Sequence, residues 1–470
     1  MLDKDRLFPT DPSLRKTARD LYNGVRDLPI ISPHGHTDPR WFAENQPFAN
    51  PAQLFVTPDH YVFRMLHSQG IPLESLGIAR IDAQIERRPA QQDPRKIWHL
   101  FAANFHLFRG TPSRIWIEHA FEHVFGITQR LDATSADAIY DQIAHHLTQP
   151  DYRPRALFDR FNIEAISTTE SPLDDLRWHK MIRDSGWGGK VVAAYRPDAV
   201  VDPEFDDFAQ NVEQFGALTG HDATTWTGYL AAHRTRRTFF KTFGATSSDH
   251  GHPTARTEDL PQDVAAALFD RALQGKCTRD EADMFRGQML TEMARMSLDD
   301  GLVLQIHPGS FRNHSTQIMA RFGRDKGFDI PTRTDYVHAL RPMLNAVGHR
   351  ADLTIIVFTL DETSIPRELA PLAGVYPALK LGPPWWFHDS AEGMRRFRET
   401  ATETAGFYNT VGFNDDTRAF CSIPARHDVA RRVDCAFLAT LVATGRLHPD
   451  DAPEVAHDLA YRLAKAAYKL

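Results

Sequence analysis

Leu28-Pro29-Ile30-Ile31-Ser32-Pro33-His34-Gly35-His36 is a short apolar run that ends on two histidines one residue apart. Apolar runs of this length, closed by Pro or Gly, are the pattern of a strand buried on both faces. Side chains alternate across a strand, so residues i and i+2 share a face. Two imidazoles at that spacing can grip one cation, and imidazole suits Zn²⁺ and similar divalent ions. A bare His-x-His pair also occurs as two unrelated polar residues in a loop. Its place at the end of a first strand, with partners elsewhere in the chain, makes it an expected metal site.

Similar runs recur downstream at 163–167, 191–195, 238–244, 302–306, 353–359, 378–381 and 410–413. With 28–32 they make eight strands in βα alternation, the count of a (β/α)₈ barrel. Helical patterns at 260–295, 336–347, 391–404, 427–444 and 451–469 fall between or after them. The interval 37–162 is far too long for an ordinary βα connection. It carries helical patterns of its own at 59–68, 95–105, 114–125 and 136–147. The expected fold is therefore α/β: a distorted (β/α)₈ TIM barrel from residues 1–40 and 158–470. A helical insertion, 41–157, is expected to lie over the barrel mouth as a lid.

In such a barrel, chemistry sits at the C-terminal strand ends. Asp416-Thr417-Arg418 follows the last expected strand, which in a closed barrel adjoins the first. Asp416 can then reach His34 and His36, as a metal ligand, a proton acceptor or both. Asp415 is its rival, and a solvated Asp-Arg pair is the plain alternative. Arg418 can bind an anion or stabilise a tyrosinate. His307 ends the fifth run and is a third ligand, a substrate contact or a core histidine. Arg312 and Asn313 follow it and suit sugar oxygens. Arg196, in Tyr195-Arg196-Pro197-Asp198, suits a bidentate carboxylate clamp, with a turn holding a local Arg-Asp pair as the alternative. In the expected lid, Asp59-His60-Tyr61 with Arg64 is a second group, although Asp59 also fits a helix cap. Asp249-His250-Gly251 and Trp385-Trp386 complete the set, the indole of Trp385 being able to stack on a sugar ring.

The chain has 470 residues, 42% of them apolar and 24% charged, with a net charge of −7. That is an ordinary globular composition with no basic stripe, which disfavours nucleic-acid binding. No apolar run reaches 18 residues, so no membrane span is expected. Cys277, Cys421 and Cys435 are scattered, as in a protein of a reducing cytoplasm.

Taken in order, these motifs resemble the uronate isomerase family, a divergent branch of the amidohydrolase superfamily. The similarity runs over nearly the whole chain: His34-x-His36, Asp59-His60-Tyr61-x-x-Arg64, Arg196-Pro197-Asp198, Asp249-His250-Gly251, Gln305-x-His307, Arg312-Asn313, Trp385-Trp386-Phe387, Asp416-x-Arg418 and Arg426-His427. The resemblance implies interconversion of D-glucuronate with D-fructuronate and of D-galacturonate with D-tagaturonate. It implies one divalent metal ion, expected to be Zn²⁺, on His34, His36 and Asp416. No lysine suited to bridging two metals follows the fourth run; Lys241 lies inside it. A mononuclear site is expected for that reason.

An aldose–ketose isomerisation needs a base over the carbon, an electrophile at the carbonyl and a hold on the far end of the substrate. Histidines and one aspartate favour proton transfer through an enediol over a hydride shift. Asp416 is the first choice of base, shared with Tyr61 or with a tyrosinate beside Arg418. Arg196 or Arg312 would hold the carboxylate, with His307, Asp59, His60 and Trp385 as further substrate contacts. The expected setting is a cytoplasmic homo-oligomer acting on a small hexuronate. The competing readings are a mononuclear metal-dependent hydrolase on the same barrel and a sugar-acid binding protein.

Overall fold

The structure is a computed structural model that describes residues 2–82 and 90–470. Met1 and residues 83–89, the latter inside the expected insertion, lie outside the described residues. Seven strands form one parallel sheet in chain order: β1 (Ile30–Ser32), β2 (Ile163–Glu170), β3 (Lys190–Tyr195), β4 (Ser247–His250), β5 (Val303–Ile306), β6 (Ile355–Val357) and β7 (Leu379–Leu381). Every neighbouring pair is parallel.

The sheet curls on itself. Residues 409–417 run between its two edges as irregular chain. Leu381 of β7 bridges Thr410. At the other edge the His36 N–H donates to the Thr417 carbonyl at 3.1 Å. The first apolar run and the segment after the last strand are thus neighbours.

Period-2 alternation sorts the strand residues. In β5, Leu304 and Ile306 pack outward with helices Trp226–Lys241 and Arg279–Asp300, among Tyr229, Phe240, Met289 and Met293. Val303 faces inward, in one cluster with Ile356, Phe358, Trp385, Val411 and Tyr468. Gln305, also inward, is fully buried; its amide donates to Ser247 Oγ at 3.1 Å and its oxygen accepts from Tyr468 Oη at 3.1 Å. Tyr468 thereby floors the curled sheet from below, and His307, two residues past Gln305, stands above that layer.

Two expectations about strands are corrected. Residues 238–244 are not a strand; they are the last turn of helix Trp226–Lys241 and the turn after it. The strand lies just beyond, in the polar Ser247–His250. Of the run 410–413, only Thr410 makes a bridge. Between β1 and β2 the described chain is helical, with His60–Ser68, Pro94–Ala103, Pro112–His119 and Ala136–Leu147 among its elements. Their apolar faces pack into one cluster around Phe55, Trp98, Phe101 and Phe121. Among the described residues, no helix is long and apolar enough to cross a membrane.

Candidate active site

A cavity of about 480 Å³ opens at the C-terminal ends of the strands. His34 and His36 descend into it from β1, and Asp416 meets them from the 409–417 segment. Asp416 Oδ1 lies 3.3 Å from Nε2 of His34 and 3.2 Å from Nε2 of His36. Asp416 holds a left-handed φ of 42°, a region that Asp tolerates better than most residues. Burial alone would raise its pKa, but the two imidazoles outweigh burial and hold the carboxyl well below the usual range. His34 is also pulled down by burial, yet Asp249 and Asp416 leave its pKa raised. For His36 burial wins, and its pKa is lowered.

The three residues fit a divalent cation. Thr169, on β2, donates its hydroxyl to the Gly35 carbonyl at 2.9 Å and lies 2.6 Å from Nδ1 of His36. A hydroxyl has one proton. With it spent on Gly35, Thr169 accepts from an Nδ1–H of His36. Nε2 of His36 then carries a lone pair, and it faces a carboxylate oxygen. Two acceptors so placed need a cation between them, and imidazole nitrogen with carboxylate oxygen is a common donor set for Zn²⁺.

A second His/Asp group adjoins the first: His34, Asp249 and His307 also offer atoms within ligand distance of one another. Nδ1 of His307 stands 2.6 Å from Asp249 Oδ1. Burial brings His307 down to about 4, so its ring is neutral near pH 7. It stacks on Phe358 at 3.9 Å, on His34 at 4.4 Å, and meets Trp385 edge-on at 4.8 Å. Asp249 already has a cation, because Arg196 Nη1 lies 3.1 Å from its Oδ2. Arg196 Nε also donates to Asp198 Oδ2 at 2.8 Å. Gly251 packs directly against this pair: a Cβ there would come within 2.2 Å of Arg196 Nη2, so a larger residue would have to displace the guanidinium.

The other expected residues are placed as follows. Asp59 caps helix His60–Ser68, accepting from the backbone of Tyr61 at 2.9 Å, and also lines the cavity. His60 lines it too, brought down to about 4 by burial. Tyr61 donates to Asp389 Oδ1 at 2.8 Å and accepts from the Phe387 N–H at 3.1 Å. Burial, aided by Asp389, pushes its pKa well above 10. Arg426 completes that wall: it donates to Asp389 Oδ2 at 2.7 Å and lies 3.6 Å over the Trp116 ring. Arg312 pairs with Asp329 at 3.0 Å, and Arg418 pairs with Asp325. Trp385 and Trp386 line the cavity, whereas Arg64 lies over the Phe387 ring at 4.4 Å. Asp415 turns away from the cation site, toward Nε2 of His427 at 3.1 Å. Sequence reasoning missed Thr169 as a histidine partner, and it missed His252 on the cavity wall; the spacing His250-x-His252 was the available signal.

A parallel α/β sheet curled around a polar cavity, with a His/Asp group able to hold a metal ion at its strand ends, defines a class of metal-assisted enzymes. Within that class, the chain matches the glucuronate isomerase family model over residues 12–468 and belongs to that family. The uronate isomerase of Rhizobium meliloti (strain 1021) is 66% identical over 470 residues, covering 100% of this chain and 99% of the relative. The crystal structure of glucuronate isomerase from Caulobacter crescentus superimposes with a TM-score of 0.97 at 58% identity, covering 100% of this chain and 97% of that one. For the uronate isomerase of Thermotoga maritima the TM-score is 0.91 at 26% identity, with coverage of 100% and 99%.

Proposed function

We propose that this protein is a uronate isomerase that interconverts D-glucuronate with D-fructuronate and D-galacturonate with D-tagaturonate by proton transfer through an enediol. The observation that carries the reading is the convergence of His34, His36 and Asp416 on one point at the head of the cavity. These residues would hold one divalent ion, Zn²⁺ by the nature of the donors. Such an ion supplies Lewis acidity toward the substrate's carbonyl oxygen and the adjacent hydroxyl.

The reaction is balanced within the substrate. The aldose loses the proton on C2 and gains one on C1, while the proton on O2 passes to O1. Asp416 is the group proposed to move the carbon-bound proton. Tyr61 acts as a neutral phenol, because its proton is committed to Asp389 and its free lone pair can accept from a substrate hydroxyl. Arg418 stabilises the charge that develops on the oxygens. Arg312 is the favoured clamp for the substrate carboxylate, since Arg196 already balances Asp198 and Asp249. His307, His60, Asp59 and Trp385 shape the remaining wall. The fold is read as a (β/α)₈ barrel whose eighth stave is the irregular 409–417 segment, with the insertion 41–157, helical in its described parts, as its lid.

The test incubates purified protein with glucuronate and galacturonate, with and without a chelator, and follows the keto product. Product from both acids, lost on chelation and restored by Zn²⁺, is the expected result. No keto product from either acid would overturn the reading.

A further inference from the structure

His252 is a buried histidine on the cavity wall whose ring meets His250 edge-on at 5.7 Å but whose nitrogens have no hydrogen-bond partner among the described residues. It lies two residues beyond β4 and is only 3% exposed. Neither Nδ1 nor Nε2 hydrogen-bonds to any of the described residues. Buried polar side-chain atoms ordinarily have a partner, so two orphaned nitrogens on the ring of a residue that lines the cavity call for a ligand. The ring belongs to neither His/Asp group that could hold a metal.

The backbone holds His252 in place. The N–H of the preceding Gly251 donates to Asp198 Oδ1 at 3.2 Å, and Asp198 is itself fixed by Arg196. Arg196 continues to Asp249, beside the cation site. His252 therefore sits on the same wall as the reacting centre, one ion pair removed from it. Its charged surroundings are Asp198, Asp202, Asp283 and Arg286; burial dominates and lowers its pKa. The ring is neutral at pH 7, with one N–H donor and one bare nitrogen acceptor.

That pattern selects the ligand class. A carboxylate only accepts and would leave the bare nitrogen unmatched. A metal cation would leave the N–H unmatched. A sugar hydroxyl both donates and accepts, and two neighbouring hydroxyls can meet both nitrogens. We propose that His252 is a substrate-binding residue that hydrogen-bonds the secondary hydroxyls of the hexuronate beyond its reacting carbons, at C3 to C5. This inference rests on the isomerase reading for the identity of the sugar acid.

The test compares wild type, His252→Phe and His252→Gln. It measures kcat and KM for glucuronate and galacturonate, bound metal by elemental analysis, and binding of D-gluconate, which lacks the reacting carbonyl, by calorimetry. His252→Phe keeps a ring but loses both nitrogens. Its KM and its gluconate Kd should rise about 5- to 100-fold, the cost of neutral hydrogen bonds lost in a buried site, with bound metal retained. His252→Gln restores one donor and one acceptor and should recover part of the loss. If Phe cannot be accommodated in the fold, the Gln variant alone should show an intermediate rise. A KM and Kd within twofold of wild type, a fall in kcat with KM unchanged, or loss of the metal would each overturn the assignment. If the wild type turns over neither acid, the isomerase reading fails by itself, and the gluconate titration still decides the role of His252.

Discussion

The hydroxyl of Thr169 and Nδ1 of His36 lie 2.6 Å apart, and because that hydroxyl donates to Gly35 the histidine is locked as the Nδ1–H tautomer. A residue on β2 thus decides which nitrogen of a β1-end histidine is free to bind a cation. Outer partners of this kind tune metal affinity by about 10- to 100-fold. Thr169→Val, which keeps the shape and removes the hydroxyl, should weaken divalent metal binding by that factor, measured by competition with a chelating dye. Thr169→Ser should bind like wild type. Equal affinity for the valine variant would sink the argument.

Asp415 and Asp416 are adjacent in sequence and opposite in task. Asp416 faces His34 and His36, whereas Asp415 is 2% exposed and pairs with His427. Asp416→Asn removes the charged ligand and the proposed base together. Metal content should fall, and kcat should drop by about 10²-fold or more. Asp415→Asn should keep its metal and lose thermal stability instead. Elemental analysis with a melting curve separates the two, and the reverse pattern would exchange their roles.

The convergence of His34, His36 and Asp416 was legible in the sequence, its histidine half by a short-range signal. His34 and His36 share a strand-end face by alternation, and the expected adjacency of the chain's first and last β segments puts Asp416 beside them, although that last segment is irregular chain with a bridge at Thr410 alone. The fourth strand was illegible for a physical reason. Ser247–His250 is fully buried yet polar, since its side chains meet Gln305, Arg196 and His307 rather than apolar neighbours. The aromatic run Thr238-Phe239-Phe240 took its place in the periodicity, although it closes an amphipathic helix. Pairing states were invisible as well. The sequence leaves Arg196 between a carboxylate clamp and a turn with a local Arg-Asp pair; the geometry gives the pair with Asp198 and adds Asp249, which no spacing announced.

Arg312 carries one carboxylate partner, Asp329 at 3.0 Å, at the cavity rim. A substrate carboxylate can replace or share that partner. Arg312→Ala should raise KM for both hexuronates about 10- to 100-fold, as expected for a charge-assisted hydrogen bond, with kcat less affected. Arg312→Lys should recover only part, because an ammonium lacks the planar fork. Steady-state kinetics on both acids check this, and an unchanged KM would move the clamp elsewhere.

His119 lies far from the cation site, on helix Pro112–His119, with its Nδ1 lacking a hydrogen-bond partner among the described residues. Burial pushes its imidazole from 6.5 down to about 3, against a weaker pull from Asp428. The folded state therefore refuses a proton that the unfolded chain accepts below pH 6.5. The unfolded state binds more protons in that window, so stability is full above pH 6.5 and falls as the pH drops toward 3. His179, brought down to about 4 by burial, acts in the same direction. The melting temperature should decline from pH 6.5 to pH 4, and His119→Phe should flatten the decline. An identical slope in the variant would remove His119 as a contributor.

Enediol transfer and hydride shift differ in where the migrating hydrogen travels. In the enediol route the C2 proton rests on a carboxylate before it is returned to carbon. Asp416 is 13% exposed and lines an open cavity of about 480 Å³. A proton held there can exchange with solvent between removal and return. A hydride passing directly from C1 to C2 never meets solvent. Running the ketose-to-aldose direction in D₂O should therefore place deuterium at C2 of the recovered aldose, read by NMR or mass spectrometry. Aldose formed with no deuterium at C2 after many turnovers would exclude a solvent-exchanging base. It would leave direct hydride transfer, or a carboxyl shielded from water throughout the cycle.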